Sequence, residues 1–428
     1  MTTTELAQRT VPSAAWVAWI AWLCGASFYC YGFFQRVAPS VMVGDLMRDF
    51  GVSGAVLGNL TAFYFYAYAG LQIPVGVMVD RFGPRRMLTA AAILCTAGSW
   101  LFATADSLGL AYAGRALIGA GAGVAWIGTL QIAAFGFPAR RFALLTGLTL
   151  LLGMAGGVGG QTPLAFVIGT AGWRPTLLGA TVVAAVLALL IWGFVRTDAA
   201  PGGRAAHVDG GVLRGLVSVL ATPQSWACAI FGAGMAVPVL AFAGLWGVPY
   251  MMEMYGLTRP TAAFTTTLML VGWAIGAPVA GWISDHLGRR RAPMVVSSMA
   301  ALATLAAALY LPGLPLLAVQ GLLLVHGIFS GAMVLSFATA RENNRPRVSA
   351  TAVGFVNMAV MAMSAGFQPL IGWLLDLGWD GRLVDGGRVY APATFKAALV
   401  TLLVAGVVAC LAALMTRETR CRPVAGAD

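Results

Sequence analysis

Arg36 is the first residue whose surroundings call for a chemical explanation. It stands in Phe33-Phe-Gln35-Arg36-Val-Ala-Pro39-Ser40, inside an apolar run that extends from about Ala15 past Val43. A charge held at bilayer depth costs roughly 3 kcal/mol on the insertion scale, so such a residue is expected to face a cavity and mark a functional site. A guanidinium offers a planar fork of donors that fits a carboxylate or phosphate, which a lysine ammonium does not. The chemistry expected of Arg36 is therefore anion recognition. If the helix ended before it, the same side chain would be an interfacial arginine reaching for water.

Other polar groups lie in apolar runs at spacings that suit a shared cavity. Tyr64, Tyr68 and Gln72 are four apart and so share one helix face. Gln161, Asn357 and Gln368 are candidates to line the same space, as are Trp246 and Tyr250, which would serve equally as anchors at a membrane interface. His326 is the only histidine inside an apolar run. Its ordinary pKa of about 6.5 would let it carry a coupling proton, although a bond to a helix carbonyl accounts for a lone histidine just as well. No Asp or Glu stands clearly in the middle of a run, so the sequence does not demonstrate proton coupling.

A charged stretch occurs twice. Gly76-Val-Met-Val-Asp80-Arg81-Phe-Gly83-Pro-Arg85-Arg86 returns as Gly281-Trp-Ile-Ser-Asp285-His286-Leu-Gly288-Arg289-Arg290-Arg291, and the register that superposes them also sets Phe50-Gly51 on Tyr255-Gly256. The chain is read as a duplication. Gly76 and Gly281 are expected to let a neighbouring helix approach, as small residues do in membrane packing, and Gly83 and Gly288 to make the turn. The aspartates Asp80 and Asp285 can face the positive end of a neighbouring helix or meet an arginine across the two halves. Contacts of that kind can form in one conformation and break in another.

The elements that must position these residues are membrane helices. Of the 428 residues 59% are hydrophobic and only 10% charged, against about 25% charged in ordinary soluble domains. Runs of about 20 apolar residues are read as spans. After the first, they lie near 54–78, 86–104, 108–131, 143–168, 174–196, 223–251, 259–284, 292–311, 315–338, 349–375 and 394–416, which makes an all-α integral membrane protein of twelve helices in two six-helix halves. The halves are expected at 1–196 and 223–428, joined by a Gly-rich linker over 197–222. Arginines crowd into alternate loops such as those holding Arg81, Arg85, Arg86, Arg140, Arg141, Arg289, Arg290 and Arg291, so the positive-inside rule puts both termini in the cytoplasm. A net charge of +11 spread over short loops marks topology and gives no reason to expect a nucleic-acid partner. The six cysteines show no paired spacing. No nucleophile–base pair, phosphate-binding loop or metal-hydrolase motif is present, so no enzyme activity and no cofactor are expected.

The repeated loop resembles the loop signature of the major facilitator superfamily, and the likeness extends over essentially the whole chain. It implies alternating access by two six-helix halves, with Asp80, Arg81, Arg85 and Arg86 at a cytoplasmic gate. The setting of Arg36 is similar to the first helix of anion-transporting branches, where an arginine binds the substrate's carboxylate or phosphate. The phosphate-ester branch pairs it with an arginine on span seven, where this chain has Ala241; that departure points to a smaller or singly charged anion. Arg115-Ala-Leu-Ile118-Gly119-Ala-Gly121 resembles the fourth-span motif whose arginine is associated with coupling, although the usual Gln is Ile118 here. The glycines from Gly153 to Gly160 resemble the fifth-span motif of drug antiporters without its proline, which disfavours that branch. Arg341 to Arg345 and Ser349 to Met358 resemble the eleventh-span entry of bacterial solute importers.

The expectation is a monomeric secondary transporter of the bacterial inner membrane that imports a small organic anion with a proton or another coupling ion. A metal or metal-chelate (siderophore) transporter is the alternative, drawing on Met251, Met252, Met254, Met358, Met361, Met363 and His326. A non-transporting receptor on the same scaffold is a third reading.

Overall fold

A bilayer accepts only chain whose backbone polar groups are paired internally, and the protein is helical almost throughout. The structure, a computed structural model, describes residues 15–196, 211–345 and 348–423, with a few side chains, among them that of Asp80, outside the described set. Helix α1 (Ala15–Val37) tightens into a 3-10 turn (Ala38–Val41) before the short α2 (Val43–Phe50). Then come α3 (Gly54–Ala103), α4 (Leu108–Gly136), α5 (Ala139–Gly159), α6 (Thr162–Ala171) and α7 (Trp173–Phe194). Beyond 197–210 follow α8 (Gly211–Leu220), α9 (Pro223–Val237), α10 (Gly247–Tyr255), α11 (Arg259–Leu287), α12 (Arg291–Tyr310), α13 (Leu316–Ser330), α14 (Val334–Glu342), α15 (Ser349–Leu377) and α16 (Pro392–Met415).

The interruptions have local causes. Gly83, at φ 79° and ψ 158°, splits α3 into two arms at the first charged loop, a backbone setting that suits glycine. Gly288 ends α11 in the left-handed region, at φ 60°. Pro238 has no N–H to give the preceding turn, and between α9 and α10 the chain widens into a π-helical stretch (Pro238–Trp246). Asp385 and Gly386 both take positive φ and join β1 (Leu383–Val384) to β2 (Gly387–Arg388), so the segment expected to be irregular holds a two-residue hairpin. The expected linker contains α8, which packs on α9 and α15.

Eleven described segments are long and apolar enough to cross a membrane. The expected span 54–78 is helical throughout as the first arm of α3, and it carries Asn59, Tyr64, Tyr66, Tyr68 and Gln72. Burial separates central from peripheral helices. In the most apolar 18-residue stretch of each segment, 94% of residues are buried for Pro223–Tyr255, against 33% for Trp173–Phe194 and 39% for Pro392–Met415. The peripheral helices turn Leu, Val, Phe and Trp outward, as a lipid-facing surface requires.

The two halves meet chiefly near one end, called here the hairpin end because α2 and the β-hairpin lie there. Arg259 reaches Asp45 at 2.7 Å, and Gly54 and Ala55 donate to Asp376. Gly54 and Gly372 touch through their backbones: a Cβ on Gly372 would lie 2.1 Å from the Gly54 carbonyl oxygen. At the opposite end, which carries the charged loops, the described hydrogen bonds and ion pairs of Arg85, Arg290 and Glu418 stay within one half.

Candidate functional site

Helix α1 continues through Arg36, whose side chain is only 4% exposed, so it is buried and does not reach for an interface. Its guanidinium carbon lies 4.2 Å from the centre of the Phe33 ring, 5.2 Å from Tyr68 and 5.6 Å from Tyr64. Phe33 is one turn back on α1, and the tyrosines come from one face of the first arm of α3. Such cation–π contacts stabilise a desolvated guanidinium by about 2 kcal/mol, and the guanidinium also donates a hydrogen bond to Tyr64. Arg36 Nε has no hydrogen-bond partner among the described residues. None of the described ion pairs involves Arg36.

Arg115 is a second buried guanidinium beside the first. It lies 5.2 Å from the Tyr64 ring, donates from Nη1 to the Gln35 carbonyl at 2.9 Å, and points Nη2 at the Thr61 carbonyl at 3.5 Å. Arg115 thereby ties α4 to α1 and α3, while Tyr64 stands between the two cations and donates to the Gly32 carbonyl at 3.1 Å. Close helix packing makes this possible. A Cβ on Gly119 would lie 2.0 Å from the Tyr64 carbonyl oxygen, so only glycine lets α4 approach so near. Two cations near one tyrosine, with no described carboxylate paired to either, make a local field that favours an anion.

Gln72, Asn357, Gln161 and Gln368 make contacts across the seam between the halves. Gln72 accepts from Asn357 Nδ2 at 2.9 Å, and its own amide nitrogen has no described partner. Gln368 accepts from Thr61 at 2.7 Å and donates to the Leu240 carbonyl at 3.0 Å, while Trp246 donates to the Gln368 carbonyl at 3.0 Å. Gln161 donates to the Ala243 carbonyl and accepts from Thr266 at 2.7 Å. Tyr250 is buried against Phe242 and Phe395 and donates to the Leu309 carbonyl at 3.3 Å. The structure brings Tyr64 and Tyr68 to Arg36, whereas Gln161 spends its amide across the halves, Gln368 accepts from the first half and donates within its own, and Tyr250 stays within the second half.

Among the gate residues, Arg81 and Arg86 are exposed, and Arg85 stacks on Trp192 at 4.2 Å while donating to its carbonyl. The Asp80 side chain lies outside the described residues. Arg290 is bound on all sides: to Asp285 at 2.7 Å, to Glu342 at 2.8 Å and to Ser284 at 2.9 Å. Burial works against its charge, but the bonds from Glu342 and Asp285 outweigh it and hold the guanidinium more firmly protonated than usual. Gly76 and Gly281 differ from their expected role, for no atom comes within 4 Å of a Cβ built on either. They face open space because the end they occupy is not closed against the other half. His326 is buried, with Nδ1 2.8 Å from the Ala301 carbonyl and Nε2 3.0 Å from the Ser330 hydroxyl, so its ring is engaged at both nitrogens. Among the described residues no cluster of three His, Cys, Asp or Glu could hold a metal ion.

A sequence model of the Major Facilitator Superfamily matches residues 21–369 and, separately, 242–424. The chain belongs to the Major Facilitator Superfamily. It is 27% identical over 432 residues to the gallate transporter of Pseudomonas putida, covering 92% of this chain and 90% of that protein. It is 22% identical over 390 residues to the gentisate transporter of Corynebacterium glutamicum, covering 88% and 85%. The fold is similar to that of a bacterial homologue of the human lysosomal transporter Spinster in an inward-facing, unoccupied conformation, with a TM-score of 0.76, 18% identity and 95% and 97% of the two chains covered.

Within this superfamily member, sequence reasoning overlooked the groups that close the hairpin end: Asp45, Arg259, Asp376 and Tyr390. Asp376 is the outermost acid of its span, and Arg388 and Tyr390 follow it within one irregular stretch, which was the available signal. Glu418 was overlooked too. It accepts from the backbone N–H groups of Arg290 and Arg291 at 2.8 and 3.0 Å and so docks the C-terminal segment on the second charged loop. Burial alone would raise the Glu418 carboxyl, and the backbone donors of Arg290, Arg420 and Arg291 outweigh it and bring it below the usual glutamate range.

Proposed function

We propose that this superfamily transporter moves a small organic anion with a carboxylate-type head inward across the bacterial inner membrane by alternating access. The observation that carries the reading is Arg36: a buried guanidinium in an aromatic cradle, with an unspent Nε donor and no described ion pair. The anion would take the Arg36 donors as a planar fork, with Tyr68 and the free amide nitrogen of Gln72 next to it on the same helix face. Two relatives carry names of carboxylate transporters, for gentisate and gallate, which supports this class without choosing its member. Both termini would lie in the cytoplasm, as the arginine-rich loops suggest. The hairpin end would then face outward, and the state described would be closed on the outside. Import against a gradient would be coupled to an ion, since the chain offers no nucleotide-binding loop to drive it.

The test is a thermal-shift screen of purified protein against carboxylates, sugar acids, amino acids, phosphate esters and metal chelates, on wild type and Arg36→Ala. A ligand present at about 100 times its dissociation constant adds about 2.7 kcal/mol to the folded state, which is readily seen. A carboxylate shift lost in Arg36→Ala supports the proposal. Carboxylates that are silent, or whose shift survives the substitution, overturn it, and a shift with metal chelates alone moves the assignment to that class.

A further inference from the structure

We propose that Asp376 is a positioning residue of the transport cycle: its carboxylate holds the two halves together at the hairpin end, and its release lets the chain turn to the opposite state. The inference rests on the alternating-access reading and concerns the moving parts, with no dependence on which anion is carried.

The N-terminus of a helix leaves backbone N–H groups unpaired and carries partial positive charge. A side chain just before the helix usually meets that need, yet Ser53 at the start of α3 makes no such capping bond. The need is met from the other half of the molecule. Asp376 Oδ1 accepts from the Gly54 N–H at 2.9 Å and Oδ2 from the Ala55 N–H at 2.8 Å. The carboxylate is in turn fixed by its own half, through the Tyr390 hydroxyl at 2.6 Å and Arg388 Nη1 at 3.3 Å, and the same Tyr390 oxygen shares the Gly54 N–H at 2.9 Å. An ionised acceptor makes shorter and stronger bonds than a neutral one, so a single side chain concentrates much of the polar attraction across this end.

The geometry allows these bonds only while the seam is shut. One turn inward, Gly372 abuts Gly54, and a Cβ on Gly58 would lie 2.5 Å from the Gln368 carbonyl oxygen. With the backbones of α3 and α15 in contact, a small separation at this end takes the Asp376 oxygens out of reach of Gly54 and Ala55. A residue that merely braced the hairpin would need Tyr390 and Arg388 alone; the two bonds to α3 have no such use.

The experiment is hydrogen–deuterium exchange on the full chain in lipid nanodiscs, without substrate, for wild type, Asp376→Asn and Tyr390→Phe. Loss of the charge should speed exchange of the amides in 54–60 and 368–376 by about tenfold or more. It should slow exchange at the opposite end, in 81–88 and 285–292, as that end closes. Tyr390→Phe, which keeps the carboxylate but removes both its tether and the Tyr390 acceptor of the Gly54 N–H, should move both regions the same way by less. A larger effect than that of Asp376→Asn would assign the seam to Tyr390 and overturn the proposal. If Asp376→Asn does not fold, Asp376→Glu, which displaces the carboxylate by one methylene, carries the test. Faster exchange confined to 380–390, or faster exchange at both ends, would overturn the proposal and leave Asp376 a structural brace. Because no ligand is used, a silent anion screen would not alter this outcome, and an unchanged exchange pattern would not alter the screen.

Discussion

Gly76→Ala should stabilise the conformation described here and slow transport. A new methyl group at a membrane-helix glycine commonly crowds a neighbouring helix, but no atom lies within 4 Å of the Cβ position at Gly76, at its repeat partner Gly281, or at Gly354 on α15. Alanine is better than glycine within a helix by about 0.8–1.0 kcal/mol, so the described state gains up to about that amount. The opposite state differs. At the hairpin end, where the halves are closed, Cβ atoms on Gly58 and Gly372 would sit 2.5 and 2.1 Å from backbone of the facing helix. If closing the other end brings Gly76 into a seam of the same kind, the methyl costs about 1–3 kcal/mol in overpacking. A bias of that size shifts the balance between states about 5- to 150-fold. The assay pairs two readings on one preparation: thermal stability in detergent, and uptake by proteoliposomes of whichever anion the screen identifies. Stability should be unchanged or raised by a few degrees while turnover falls at least fivefold. Wild-type turnover together with raised stability would refute the reasoning, because Gly76 would then face open space in both states.

Four further outcomes follow from named contacts. Arg36→Lys should weaken anion binding at least tenfold in a thermal-shift titration, since an ammonium keeps the charge and loses the planar fork. Asp49, in α2 outside the spans, accepts from Trp173 Nε1 at 2.8 Å and from Arg48 Nε at 2.9 Å; burial alone would raise its carboxyl, but these bonds hold it below the usual range. Its contribution is therefore present above the unfolded value of about 3.9 and is lost as pH falls through the lower folded value, so the melting-temperature gap between wild type and Asp49→Asn should be constant from pH 7 to 5 and close only in acid. His326→Gln should lower stability by about 1–3 kcal/mol, by unpairing the Ala301 carbonyl, and leave the pH profile of uptake unmoved; a displaced profile would assign the ring a proton-carrying role. Glu418→Gln should speed proteolysis after Thr416 without changing anion binding, as read by limited digestion and the same titration.

The fold was legible because its strongest signals are local. Apolar runs declared the spans, and a polar loop repeated at one register declared the halves. The first arm of α3 shows how a span and a site can share one stretch: Tyr64, Tyr68 and Gln72 recur every fourth residue on one face of a largely apolar helix. Arg36 was visible because a lone charge in an apolar run is costly wherever it points. What remained hidden depends on contacts between distant segments. Nothing local to Asp376 reveals that its carboxylate serves a helix start more than 300 positions away in sequence, and the pairing of Asp45 with Arg259 is equally non-local. Gln161 and Gln368 look like cavity residues because a polar side chain in a span must satisfy its donors somewhere. Only the packing tells whether the partner is a ligand or the facing half.

Duplication of sequence did not duplicate the environment of the charged loop, and the difference bears on which copy moves. In the second copy Arg290 is held by Asp285, Glu342 and Ser284, and the C-terminal segment adds Glu418 to the backbone of Arg290 and Arg291 and Thr419 to Glu342. All these partners belong to one half. To reach across, Arg290 would have to abandon the buried carboxylate of Glu342 and leave it uncompensated, which costs several kcal/mol when one member of a buried pair is removed. The first copy carries no comparable tie among the described residues: Arg81 and Arg86 are exposed, and Arg85 is engaged by one carbonyl and one indole face. Exposed arginines have little to give up on meeting a new partner. If the two halves close at this end, the first loop is therefore the one free to form new contacts, with the second acting as the rigid surface it meets.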